Sequence, residues 1–174
     1  MGRAEDEPST KKKRRKRKSK ASLSVRKKPV IQVDKYFLRL FDSKKKVVYF
    51  IRGNKALRYP FHRMSRILYI GRTERTGARP FESLRENAPE LLKIHGMKNL
   101  EIVYIEAPPR QKVDIAGKLE TACLHQFREY FGSVPRANKR GSKSLELRDE
   151  KRYVNLGRVT QILKELSRLS PETE

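Results

Sequence analysis

Residues 47–71 read VVYFIRGNKALRYPFHRMSRILYIG and contain the two segments that decide the fold. Val47–Ile51 and Ile67–Gly71 are short apolar runs rich in β-branched and aromatic residues, which favours two strands. The polar stretch 53–66 between them predicts a turn-rich loop. The two runs therefore predict a β-hairpin.

Further strands and several helices complete the predicted fold. Strands are predicted at Tyr36–Phe41 and Leu100–Ala107. Helices are predicted from Pro80, from Pro89, from Ile115 to Phe131 after an Asp114 cap, and over 156–169 after an Asn155 cap. This order predicts an α/β (α+β) fold in which a small central three-stranded mixed or antiparallel sheet is flanked by helices.

The net charge of +23 has two sources and indicates a polyanionic partner, most often nucleic acid. The segment 1–29 holds 13 basic and 3 acidic residues, and the rest of the chain supplies the other +13. We expect a disordered basic tail at 1–29, a domain at 30–150, and a C-terminal amphipathic helix within 151–174. That helix either packs on the domain or forms an interface with a partner, and this partner includes a second copy of the same chain.

The tail has three possible roles, which are non-specific binding of phosphates, nuclear localisation, and solubilisation. The sequence shows no apolar run long enough to span a membrane and no signal peptide, and the single Cys123 excludes an internal disulfide. We therefore expect an intracellular protein, in the nucleus of a eukaryote or otherwise in the cytoplasm or nucleoid.

Two features of the domain suggest side chains with a catalytic or metal-binding role. Alternate residues of a strand share a face, so the predicted hairpin brings the hydroxyls of Tyr49 and Tyr69 to the same side. On the long predicted helix, Glu120 falls between Phe127 and Phe131, within the apolar arc. A carboxylate there requires a cation, a pairing arginine, or an escape to solvent at the edge of the arc.

These residues resemble the paired signature of the GIY-YIG nuclease family. VVY at Val47–Tyr49 is followed by YIGRT at Tyr69–Thr73, then by Arg79, by Glu120 on a later helix, and by Asn138 in a Pro-x-x-Asn turn. The resemblance covers about residues 47–142. It implies a metal-dependent endonuclease that hydrolyses phosphodiester bonds in DNA.

The chain also departs from the family pattern. The twenty-residue spacing from Tyr49 to Tyr69 is about twice the usual one, which leaves Tyr59 as a rival for the first tyrosine. We favour Tyr49, because VVYFI is the better strand and Pro60 follows Tyr59. Ser83 stands where the family often has a histidine.

The resemblance implies a role for each motif residue. Glu120 would hold one Mg²⁺ or Mn²⁺ ion, with water and phosphate filling its other positions. Arg79 would contact the phosphate. Tyr49 would accept a proton from the attacking water, directly or through a relay, Tyr69 would position that water or the phosphate, and Asn138 would orient the loop or the tyrosines.

Five cations flank these motifs and are candidates for contacts with the DNA backbone. They are Arg72, Arg75, Arg136, Lys139 and Arg140. Two other classes of function remain open, which are a non-catalytic nucleic-acid-binding protein on the same fold and a basic interaction protein that uses the last helix.

Overall fold

The computed structural model describes residues 25–26, 46–73, 78–107, 110, 112–138 and 147–168. The predicted strand 36–41 and most of the predicted tail lie outside these residues. No helix in the described ranges combines the length and the apolar character needed to cross a membrane.

Antiparallel strands and three α-helices make up the described chain. The strands are β1 (Val25–Arg26), β2 (Val47–Arg58), β3 (Met64–Thr73) and β4 (Leu100–Glu106). The helices are α1 (Ala78–Leu91), α2 (Ile115–Phe131) and α3 (Leu156–Ser167), with a 3₁₀ turn at Glu150–Arg152. The sheet order is β1-β4-β2-β3, and every neighbouring pair is antiparallel. The predicted α+β class is confirmed, with an antiparallel rather than a mixed sheet.

Strand β1 falls inside the segment predicted to be disordered. Val25 and Arg26 pair with Ile105 and Tyr104 of β4. Backbone hydrogen bonds to the outer side of a strand depend little on side-chain identity, so a basic segment can supply them. The predicted disorder is therefore wrong at these two residues.

The β2–β3 hairpin extends well beyond its two apolar runs, so the predicted loop 53–66 is wrong for most of its length. β2 continues to Arg58 and β3 begins at Met64. Arg52 and Arg66 are both buried, and each places a guanidinium nitrogen 3.0–3.1 Å from Oε1 of Glu101 on β4. This pairing with a strand distant in sequence overrides the local turn signal.

The two faces of the sheet carry separate cores because neighbouring strand residues point in opposite directions. Tyr49 and Ile51 pack on α1, and we call this side the α1 face. Val48 and Phe50 pack under α2 and α3, and we call this side the α2–α3 face. Strand alternation thus separates two chemical environments, except where the β2–β3 pairing shifts, so that the neighbours Leu68 and Tyr69 both pack on the α1 face.

Local signals at the helix ends are confirmed. Asp114 caps α2 by accepting from the N–H of Gly117 at 3.2 Å, and Asn155 caps α3 by accepting from the N–H of Arg158 at 3.3 Å. Gly132 ends α2 with a left-handed φ of 89°.

The prediction of a second helix beginning at Pro89 is wrong. α1 is continuous from Ala78 to Leu91, with Pro89 in its last turn. Pro89 removes one backbone hydrogen bond of the helix, but the helix continues to Leu91 before it ends.

The apolar stripe of α3 is buried in the chain's own core. Val159, Ile162, Leu163 and Leu166 are all buried on the α2–α3 face. Two alternatives were predicted for this helix, and in the structure α3 packs on the domain.

Candidate active site

Two tyrosines meet across a glycine on the α1 face. Tyr49 of β2 lies directly opposite Gly71 of β3, and Tyr69 lies two residues before that glycine. The ring centroids of the tyrosines are 5.9 Å apart, with an interplanar angle of 33°. A Cβ atom at Gly71 would lie 2.6 Å from Cε1 of Tyr69 and 2.8 Å from the hydroxyl oxygen of Tyr49. Glycine is therefore the residue that leaves room for both rings.

Helix α1 supplies the polar partner of this pair. Ser83 is buried, and its Oγ lies 2.8 Å from the hydroxyl oxygen of Tyr49. Arg79 precedes Ser83 by four residues, so both side chains lie on one side of the helix. The structure thus brings Tyr49, Tyr69, Ser83 and Arg79 to one place.

Tyr49 sits in an environment that keeps its phenol neutral. The residue is only 1% exposed. Burial raises the pKa of Tyr49 well above its ordinary value, and interaction with Tyr69 raises it further, while Ser83 and the charge of Arg79 oppose the shift. The raised pKa therefore favours the protonated phenol of Tyr49, which is hydrogen-bonded to Ser83.

Arg79 is the solvent-facing member of the group. Its side chain is 51% exposed, and its Nη1 lies 3.4 Å from Glu82 and 3.8 Å from Glu86 of the same helix. The bond to Glu82 raises the pKa of Arg79, and Tyr49 and Tyr69 raise it further. The guanidinium is therefore charged and accessible to an anion from solution.

Glu120 lies on the α2–α3 face. Its Oε2 is 3.2 Å from Nε of Arg72, and the side chain is 26% exposed. Nη1 of Arg72 also donates to Asp114, whose other oxygen lies 3.8 Å from Nζ of Lys46. Arg72 follows Gly71 and therefore points away from the tyrosines. The structure pairs Glu120 with an arginine, one of the compensations expected for a carboxylate in the apolar arc.

The donor set around Glu120 fits only one type of metal site. Within the described residues, no group of three or more His, Cys, Asp or Glu side chains is placed to hold a metal ion. A single partly exposed carboxylate suits a hard cation such as Mg²⁺, which retains most of its water ligands. Such an ion would share the carboxylate with the Arg72 guanidinium.

Asn138 holds the loop after α2 to the outer side of β3. Its Oδ1 accepts from the N–H of Ile70 at 2.9 Å, and its Nδ2 donates to the carbonyl of Ile70 at 2.7 Å. The N–H of Ala137 donates to the carbonyl of Leu68 at 2.8 Å. These bonds fix the backbone on both sides of Tyr69.

The rival tyrosine is located elsewhere. Tyr59 packs against Phe127 and Phe131 on the α2–α3 face, and its hydroxyl donates to the carbonyl of Ile67 at 2.9 Å. Tyr49 is therefore the tyrosine that meets Tyr69.

The five predicted DNA-contacting cations differ in their surroundings. Arg136 is exposed, whereas the Arg72 guanidinium is engaged by Asp114 and Glu120. Arg75, Lys139 and Arg140 lie outside the described residues.

Comparison with known proteins adds no family assignment. No protein-family model, curated protein or solved structure matches the chain. The contact between Ser83 and Tyr49 was not anticipated from the sequence, although the four-residue spacing from Arg79 placed Ser83 on the same side of α1.

Proposed function

We propose that this chain is a metal-dependent DNA endonuclease with a GIY-YIG-type site. The observation that carries the proposal is the pair of Tyr49 and Tyr69 across Gly71, joined on α1 by Ser83 and Arg79. Ordinary core packing does not require two phenols, a buried serine hydroxyl and a charged arginine in one cluster. Phosphodiester hydrolysis uses such groups for proton transfer and for stabilising anionic charge.

In this proposal the two tyrosines have different roles. Tyr69 is half-buried and is the phenol that can meet a water molecule or a phosphate oxygen. Tyr49 is buried and bonded to Ser83, so it orients the phenol of Tyr69 instead of meeting the water itself. Direct proton abstraction by Tyr49, one of the two routes expected from the sequence, is disfavoured by its burial and raised pKa.

The two charged groups of the proposed site lie on opposite sides of β3. Arg79 offers an exposed guanidinium on the α1 face, with donors that match phosphate oxygens. Glu120 would hold Mg²⁺ or Mn²⁺ on the other side, with Arg72 fixing the carboxylate. When bound, the cation supplies polarisation of the phosphoryl oxygen and stabilisation of the leaving oxygen.

A non-catalytic nucleic-acid-binding protein on the same fold is the second candidate. The salt bridge between Glu120 and Arg72 favours it, because a paired carboxylate needs no metal. Ser83 in the position of the family histidine favours it as well, because a serine hydroxyl does not ionise near neutral pH and so cannot replace a histidine as a general acid or base. This candidate binds DNA with the same affinity whether or not Glu120 carries a charge.

A cleavage assay with matched controls separates the two candidates. The full chain is incubated with Mg²⁺ or Mn²⁺ and with supercoiled, flap, branched and single-stranded DNA. Arg79→Ala should slow cleavage by about 100-fold or more, as expected for loss of a transition-state charge contact. Arg85→Ala removes an exposed arginine from the same helix and should change the rate less than twofold.

The metal site has its own pair of variants. Glu120→Gln should abolish metal-dependent cleavage, whereas Glu129→Gln removes an exposed carboxylate from the same helix and should leave cleavage unchanged. Wild-type protein that binds DNA but leaves every substrate intact with both metals would establish the non-catalytic candidate instead.

A further inference from the structure

An open groove of about 490 Å³ lies where α3 ends beside the beginning of β3. Arg63, Lys164 and Arg168 line it around the ring of Tyr130, and we call it the α3 groove. All three cations are exposed. In the parts of the chain that the structure describes, no acidic side chain lines this groove or pairs with any of the three. The groove therefore concentrates positive charge.

Tyr130 holds two of these cations in place. Cζ of Arg63 lies 3.7 Å from the ring centroid, and Nζ of Lys164 lies 4.7 Å from it. Attraction to the ring lowers the cost of placing two like charges together, while the N–H donors of both groups can still meet another ligand. The two cations are thus positioned before any ligand arrives.

Buried charge beneath the groove adds to its positive potential. Arg52 and Arg66 share the single carboxylate of Glu101, which leaves one excess positive charge. The Arg52 side chain is 4% exposed, and its Nε has no hydrogen-bond partner among the described residues. Nη2 of Arg52 donates to the carbonyl of Arg168 at 3.4 Å, so this excess charge lies directly under the end of α3. A buried charge is normally compensated in full, and here the compensation is incomplete.

We propose that the α3 groove binds the phosphates of a nucleic-acid backbone. The ligand must be anionic, and guanidinium and ammonium groups are the usual donors to phosphate oxygens. A chain of net charge +23 attracts polyanions before any other partner, which favours nucleic acid as the source of the phosphate.

This surface is separate from the candidate active site. Met64 lies at the groove and Gly71 lies seven residues further along β3, which corresponds to roughly 20 Å at the rise of a strand. The groove is on the α2–α3 face, opposite the tyrosine pair. Glu120 is on this face too, but Tyr130 at the groove lies ten residues further along α2, which corresponds to roughly 15 Å at the rise of a helix. Its binding therefore does not rest on the proposed nuclease activity.

A binding experiment without divalent metal tests the groove alone. The full-length triple variant Arg63→Gln, Lys164→Gln, Arg168→Gln is compared with a control that loses the same charge from exposed positions elsewhere, Lys93→Gln, Lys98→Gln, Lys151→Gln. The probe is a fluorescein-labelled 20-base-pair duplex in EDTA, titrated at several salt concentrations. Thermal unfolding followed by circular dichroism establishes that both variants are folded.

The groove variant should bind the duplex about 10- to 100-fold more weakly, and its slope of log K against log salt should fall by about 2 to 3, one unit per lost phosphate contact. The control should change affinity less than threefold. Equal losses in the two variants would overturn the proposal, because they would show that total charge alone matters.

A second measurement locates the ligand directly. In ¹⁵N-labelled wild-type protein, the backbone amides of Met64, Lys164 and Ser167 should shift on addition of the duplex. Unperturbed amides at saturating duplex would overturn the proposal. A comparison with polyglutamate gives a second such outcome. If polyglutamate bound as tightly as the duplex and lost the same affinity in the groove variant, the proposal would be overturned, because the groove would then select acidic peptides.

Discussion

Replacing Gly71 with alanine should destabilise the protein, although glycine within a strand is normally unfavourable. The new Cβ would lie 2.6 Å from Cε1 of Tyr69 and 2.8 Å from Cζ of Tyr49, whereas carbon atoms in contact are usually 3.5–4.0 Å apart. Relief of this overlap requires movement of two rings, one of them fully buried. Overpacking of this kind costs about 1–3 kcal/mol. The smaller entropy of the unfolded alanine chain offsets about 0.4–1 kcal/mol, so we expect a net loss of about 1–2 kcal/mol.

A second glycine provides a control of opposite sign. A Cβ at Gly157 in the first turn of α3 would have Asn155 Oδ1 as its nearest neighbour, at 3.4 Å. Gly157→Ala should therefore stabilise the protein by up to about 1 kcal/mol through helix propensity. Urea unfolding followed by circular dichroism measures both changes.

The interpretation also predicts which second substitution restores stability. Tyr69→Ala removes the ring that approaches most closely, so adding Gly71→Ala to it should cost much less than adding it to wild type. If Gly71→Ala stabilised the protein as Gly157→Ala does, the tyrosines would not pack over Gly71, and the arrangement proposed for the site would be refuted.

Two further predictions concern charges. Glu101→Gln leaves Arg52 and Arg66 buried without a carboxylate and should cost about 3–5 kcal/mol in urea unfolding, while Glu90→Gln at an exposed site should change stability by less than about 0.5 kcal/mol. Burial favours a higher pKa for Asp114, but hydrogen bonds from Gly117 and Arg72 hold the pKa of this carboxyl below its ordinary value. The charged form of Asp114 therefore stabilises the fold above pH ~4, and this stabilisation is lost as the pH falls. Asp114→Asn should therefore be less stable than wild type at pH 7, and the difference should shrink towards pH 3; a constant difference would contradict this linkage.

Local patterns were sufficient for part of this structure. Strand alternation correctly placed Tyr49 on the face of Val47 and Ile51, and Tyr69 on the face of Gly71. It failed for Ile67, which lies on the α2–α3 face because the pairing of β2 with β3 shifts at Leu68. The caps at Asp114 and Asn155 and the stop at Gly132 also depend only on neighbouring residues. Such features are readable because their partners lie within a few positions.

Other features depended on distant partners and were missed. The strand character of Arg52 and Arg66 requires Glu101, which arrives from β4. The helical wheel showed that Glu120 needs compensation, but only the hairpin alternation identifies Arg72 as the partner. Ser83 could be placed beside Arg79 on α1, yet its contact with Tyr49 depends on how that helix docks on the sheet.

The Asn138 bonds to Ile70 have a consequence for how variants of this loop behave. β3 is the last strand of its sheet, and an exposed edge strand can pair with another chain and seed aggregation. The Asn138 amide pairs with both backbone groups of Ile70, as a neighbouring strand would, and so blocks that edge. Asn138→Ala would uncover it, and the resulting self-association would lower cleavage in the proposed assay even if the tyrosine pair remained intact. Only the monomeric fraction of such a variant, isolated by size-exclusion chromatography, reports on the chemistry of the site.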